Sequence, residues 1–154
     1  MKELIVKSTS FGNSQRIPKK YTCNGDDVNP PLTVEHIPPE TKSLVLIVYD
    51  PDAPSGTWDH WVVWNIPPTG KIEENKVPGI QGINSFGKHD YGGPCPPSGT
   101  HRYFFKVYAL NTELKLASSS KKKDVEKAAQ DNTLAKGELI GLYSQEGQHP
   151  VRLN

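Results

Sequence analysis

The stretch Leu44-Val-Leu-Ile-Val-Tyr-Asp50-Pro-Asp-Ala-Pro-Ser-Gly-Thr-Trp-Asp-His60-Trp-Val-Val-Trp-Asn-Ile66 decides how this chain is read. Two apolar runs, Leu44–Tyr49 and Trp61–Ile66, flank a turn rich in Pro, Gly and Asp, the pattern of two buried strands joined by a short excursion. Such closeness in sequence predicts an antiparallel or nearby pairing of strands that found the core. The carboxylates of Asp50 and Asp52 and the imidazole of His60 then stand where one strand ends and the next begins. A second stretch, Gly92-Gly-Pro-Cys-Pro-Pro-Ser-Gly-Thr-His101-Arg-Tyr103, repeats the device. Its Pro/Gly loop delivers a histidine to the start of a third strong strand, Tyr103–Leu110.

Outward from these, Leu4–Thr9 reads as an edge strand, Lys20–Cys23 as a short strand, Leu32–His36 as a half-buried strand and Gly137–Tyr143 as a final one. Lys122–Gln130 predicts a short helix, because Val125, Ala128 and Ala129 fall at i, i+3 and i+4. Lys71–Asp90 is polar, glycine-rich and without period, so it predicts a long surface excursion. The chain reads as a single domain, 1–154, without repeats, and Ser144–Asn154 as a loosely held tail.

With 154 residues, 14 Pro, 13 Gly and a net charge of +1, the composition suits a turn-rich globular domain and argues against general nucleic-acid binding, which needs a basic patch. The cluster Lys121–Lys123 is expected to be a solvated loop. Cys23 and Cys95 match no zinc spacing, so free thiols are expected. No apolar stretch approaches the roughly 20 residues that span a bilayer. Nor does the N-terminus resemble a signal peptide, so the expectation is a cytoplasmic protein.

Alternate residues of a strand share a face. His101 therefore shares one with Tyr103, His60 with Val62 and Trp64, and Asp50 with Val48 and Leu46. If the strands meet at one sheet end, Asp50, Asp52, His60, His101 and Tyr103 form one cluster. Histidine and tyrosine donate to anions, and a carboxylate bonded to an imidazole fixes its tautomer or keeps it charged. Loops stiffened by proline preorganise such a site for a small anionic or zwitterionic group. Each residue also has a plainer reading. Asp50 and Asp52 can cap turn amides, either histidine alone can be structural, and Trp58, Trp61 and Trp64 can be core or pocket wall. His36, His89 and His149 lack comparable context and read as surface residues.

Asp50-Pro-Asp-Ala-Pro54, the His60-Trp61 pair and Gly93-Pro-x-Pro-Pro-x-Gly-x-His101-Arg-Tyr103 together resemble the phosphatidylethanolamine-binding protein family, also called the Raf kinase inhibitor protein family, in its bacterial and archaeal form. The resemblance implies a mainly β fold of two packed, mostly antiparallel sheets with a Greek-key element and one or two short helices. It also implies a pocket for phosphate-like anions or phospholipid head groups. Asp50, Asp52, His60, His101 and Tyr103 would bind the ligand there, with Pro54, Trp58, Gly92, Gly93 and Pro94 at the rim. Inhibition of a kinase or a serine protease and homodimer formation are further implications. No counterpart of the long C-terminal helix of animal members is evident, so membrane-linked and Raf-directed roles are not expected. Cys95 adds a thiol at the rim, read as an inert small residue.

Three functions compete. The first is a non-enzymatic binding protein without cofactor or metal, consistent with the lack of Gly-x-Ser-x-Gly, phosphate-loop and His-Glu-x-x-His motifs. The second is an enzyme with His60 or His101 as general base and Asp50 orienting it, or with these three residues holding a divalent metal. In the third, the polar cluster only ties loops together.

Overall fold

The run Ser43–Asp50 is buried along nearly its whole length on both faces, as its unbroken apolar sequence requires of a strand covered from two sides. His101–Leu110 instead alternates buried and half-exposed residues. A computed structural model describes residues 2–145. In chain order they form β1 (Lys2–Glu3), β2 (Ile5–Lys7), β3 (Gln15–Arg16), a 3-10 turn (Lys19–Tyr21), β4 (Leu32–Glu35), β5 (Ser43–Asp50), β6 (Trp58–Ile66), β7 (Lys71–Ile72), β8 (Ile80–Gln81), β9 (His101–Leu110), α1 (Lys122–Ala129) and β10 (Thr133–Tyr143).

The larger sheet has the order β1-β10-β9-β5-β6-β8, with β3 also paired to β10, and the smaller one the order β2-β4-β7. β5, β6 and β8 follow one another antiparallel, and β9 returns to lie beside β5, which is a Greek key. The expected architecture of two mostly antiparallel sheets with few helices is therefore present. Val6, Leu32, Val34 and Ile72 of the small sheet pack on one face of the large sheet, against Leu46, Val48, Trp61, Val63, Phe105 and Val107. The opposite face, with Val45, Ile47, Val62 and Trp64, is closed by Leu114 and by Val125 and Ala129 of α1. Each such large side chain contributes about 1.5–3 kcal/mol by leaving water. Gly137 of β10 lets the Leu4 backbone pass where a Cβ would stand.

Four expectations are corrected. Lys20–Cys23 is not a strand: Pro18 opens a tight turn in which Tyr21 N donates to Pro18 O and Thr22 N to Lys19 O. Lys71–Asp90 is not only excursion, since it supplies β7 to one sheet and β8 to the other. Lys122 starts α1, as the helix reading predicts, but it is not on a solvated loop as the lysine-cluster reading has it, since it reaches Asp59, 3.0 Å away, with its ammonium over the Tyr49 ring. Gln145 of the expected loose tail is buried and donates to Pro96 O at 2.7 Å, whereas residues 146–154 lie outside the described residues.

Candidate functional site

Because β5 runs antiparallel to both β6 and β9, its last residues meet the first residues of both neighbours. This brings Asp50, His60, His101 and Tyr103 to one end of the sheet. Asp50 and Tyr103 follow the expected parity, but His60 does not. The β5–β6 register slips between Val48, which faces Trp61, and Tyr49, which faces Asp59. The extra residue is His60, and the bulge turns it away from the face of Val62 and Trp64. It lines the same cleft as Asp50 and Tyr103. Asp59 points to the other side, where it meets Lys122.

The cleft has a volume of about 250 Å³. Its polar floor is Asp50, His60, His101 and Tyr103, which are 3%, 4%, 7% and 0% exposed. Ala53, Pro54 and Ser55 form one wall, Cys95, Pro96 and Pro97 another, and Trp58 and Phe86 a third. Phe86 stands edge-on to both Trp58 and His60, with centroids 5.5 and 5.4 Å apart. Gly92 makes room for it, since a Cβ there would meet the Phe86 ring.

Every floor group except Tyr103 is anchored from behind. Asp50 Oδ2 lies 2.7 Å from His101 Nδ1, and Asp50 Oδ1 accepts the Asp52 amide at 2.7 Å. His60 Nδ1 lies 2.6 Å from the Gly92 carbonyl. A carbonyl only accepts, so Nδ1 carries the proton and Nε2 is the nitrogen left for a ligand. Burial pushes the His60 pKa below the ordinary histidine value, against the opposing pull of the Gly92 carbonyl and of Asp50. The Tyr103 hydroxyl is buried without a hydrogen bond of good geometry. Burial first, and then the neighbouring Asp50 carboxylate, push its pKa far above the ordinary phenol value, so it is a neutral donor. The His60 ring is edge-on to Tyr103 and the His101 ring stacks beside it.

Four of the remaining predicted residues, Asp52, Gly92, Gly93 and Pro94, do not line the cleft. Asp52 is turned outward, where Oδ2 accepts from Arg102 N and Nε and Oδ1 from a terminal guanidinium nitrogen, each at 2.9 Å. The Arg102 hydrogen bonds hold its pKa down to about 2. Gly92, Gly93 and Pro94 stand behind the wall. Gly92 orients His60, Gly93 N donates to Asp27 Oδ1, and Pro94 O accepts from Cys23 N. Trp58 and Pro54 do line it. Phe86 was hidden in a stretch without period, and being the lone large aromatic of that stretch was its one signal.

Cys23 and Cys95 are not free thiols. They form a disulfide with Cα atoms 5.5 Å apart, 72 residues apart in sequence. Their proximity follows from the landing of the Gly92–Thr100 loop on the Tyr21–Asp27 segment, where Tyr91 also donates its hydroxyl to Tyr21 O at 2.8 Å. Among the described residues no cluster of three or more His, Cys, Asp and Glu side chains is arranged to hold a metal. Nor is any helix among them long and apolar enough to cross a membrane.

The same fold and related sequences occur in known proteins. A UPF0098 protein of Pyrococcus abyssi is 48% identical over 155 residues, covering 94% of this chain and 87% of the relative. The phosphatidylethanolamine-binding protein homolog of Chlamydia trachomatis superposes with a TM-score of 0.89 at 38% identity, over 94% of this chain and 99% of that one. E. coli YbcL, described as a new member of the mammalian family, superposes with a TM-score of 0.84 at 33% identity, over 92% and 98% of the two chains. The family profile matches residues 7–144, and the chain belongs to the phosphatidylethanolamine-binding protein family.

Proposed function

We propose that this protein binds a small phosphate ester or phospholipid head group in the cleft and acts through that binding rather than by turnover. The observation that carries this reading is the Tyr103 hydroxyl, a buried neutral donor near the Asp50 carboxylate but without a hydrogen bond of good geometry, on a floor whose other groups are each locked. An unpaired buried donor costs about 1–3 kcal/mol, which a ligand oxygen would recover. His101, with Nδ1 held against Asp50, offers its other nitrogen as a donor when protonated. Neutral His60 offers an acceptor, suited to a protonated phosphate or an ammonium group. The apolar walls of Pro54, Trp58, Phe86 and Pro97 exclude water and strengthen these bonds.

Membership in the family supports regulation or inhibition of a kinase or a serine protease as the role, with homodimer formation as a further part of the proposal. Cytoplasmic residence belongs to it too, and there the disulfide would meet reductants. The test is isothermal titration with inorganic phosphate, phosphoethanolamine and a nucleotide. Saturable binding of phosphoethanolamine is expected, and the absence of heat with every anion at millimolar protein would remove the pocket from the account.

A further inference from the structure

The wall that the Gly92–Thr100 loop contributes to the cleft is held by polar bonds along its base. Gly93 N donates to Asp27 Oδ1 at 2.8 Å, Cys23 N to Pro94 O at 3.1 Å and Gln145 Nε2 to Pro96 O at 2.7 Å. The one covalent tie is the disulfide, and it ends on a cleft-lining residue, Cys95. Cys95 is an exposed residue and Cys23 half-buried, so the Cys95 end of the bridge is the more open to a thiolate from solvent. On either side of Cys95 stand Pro94 and Pro96, which carry any displacement of it into the wall with little local yielding.

We propose that the Cys23–Cys95 bridge is a thiol-exchange site that sets the shape of the cleft, with a dithiol as its chemical partner. A thiolate of the dithiol attacks Cys95 Sγ, the S–S bond breaks, and Cys23 leaves as a thiolate that takes up a proton. The second thiol of the reductant then displaces Cys95 from the mixed disulfide. The reductant ends as its own disulfide and the protein as two thiols, with two electrons and two protons transferred. The base bonds remain, Gln145 to Pro96 O among them, while Cys95 loses its covalent anchor and the preorganisation of the wall at Cys95 and Pro97 falls. The ligand readout of this inference rests on the anion-binding reading, and the structural readout does not.

The test applies dithiothreitol to the folded, oxidised protein. Mass spectrometry follows the bridge, calorimetry the affinity for phosphoethanolamine, and hydrogen exchange the amides of residues 93–100. Reduction is expected to weaken phosphoethanolamine binding by about three- to tenfold and to speed exchange across the loop. By reciprocity, saturating phosphoethanolamine should make the bridge harder to reduce by the same factor. The double variant Cys23→Ser, Cys95→Ser should match the reduced protein, and if it fails to fold, the redox titration of the wild type decides. Equal affinity in both redox states, or a bridge that dithiothreitol opens only on unfolding, overturns the proposal. Should the oxidised protein bind no phosphoethanolamine, the anion reading fails by itself. Exchange then decides alone: faster exchange in residues 93–100 on reduction supports the site, and unchanged exchange overturns it.

Discussion

Tyr103 and His60 are each held at a cost to the folded protein, in opposite ways. Replacing Tyr103 by Phe removes a buried hydroxyl that makes no hydrogen bond of good geometry, so Tyr103→Phe should leave the melting temperature unchanged or raise it. A drop of several degrees in thermal unfolding would show that the hydroxyl is structural. His101→Ala should weaken phosphoethanolamine binding by about 1.5–3 kcal/mol if its bond to the ligand is charge-assisted, read by calorimetry. For His60 the sign follows from burial. Its folded pKa lies below the unfolded value of about 6.5, so between the two the unfolded chain holds more protons. The His60 contribution to stability is full above that value and is lost as pH falls toward the folded pKa. Urea midpoints measured from pH 8 to pH 5 should decline more steeply for the wild type than for His60→Gln. An anion in the cleft opposes the decline by favouring the charged ring.

At the scale of elements, the strands that carry the site were legible and their fine register was not. The runs Leu44–Tyr49, Trp61–Ile66 and Tyr103–Leu110 declare themselves because each buries apolar residues over its length. Parity correctly pairs His101 with Tyr103, yet it misplaces His60, because a bulge is one extra residue with no composition of its own. Two-residue strands such as β7 and β8 are too short to show a period. Asp52 misleads for a different reason. Its turn motif reads the same whether the carboxylate faces a ligand or, as here, clamps Arg102 at the start of β9. Asp52→Asn should therefore leave phosphoethanolamine affinity within about threefold of wild type, as for a surface ion pair. With its pKa held near 2, the clamp contributes above the ordinary carboxylate range and is lost as pH falls toward 2. Acid titrations followed by circular dichroism should show the two proteins converging at the acid end.

Across the whole molecule, the disulfide is the feature that sequence spacing could least reveal, since only the folded chain brings Cys23 and Cys95 together. Closing a loop of 72 residues stabilises by roughly 4 kcal/mol in the chain-entropy account. For a chain of this size that corresponds to a loss of roughly 10 °C on reduction, measurable by calorimetric melting with and without dithiothreitol. An unchanged melting temperature would mean that the bridge constrains the wall alone. The fold itself was the most legible feature, because two turn motifs, each attached to an apolar strand, outweigh uncertainty at the edges. The central claim is that the cleft floor receives an anion through the Tyr103 hydroxyl. Its most direct test is calorimetric titration of phosphoethanolamine into wild type and Tyr103→Phe. One-to-one binding by the wild type, weakened by about tenfold in the variant, is the predicted result. Equal binding by both proteins, or none by the wild type, would contradict it.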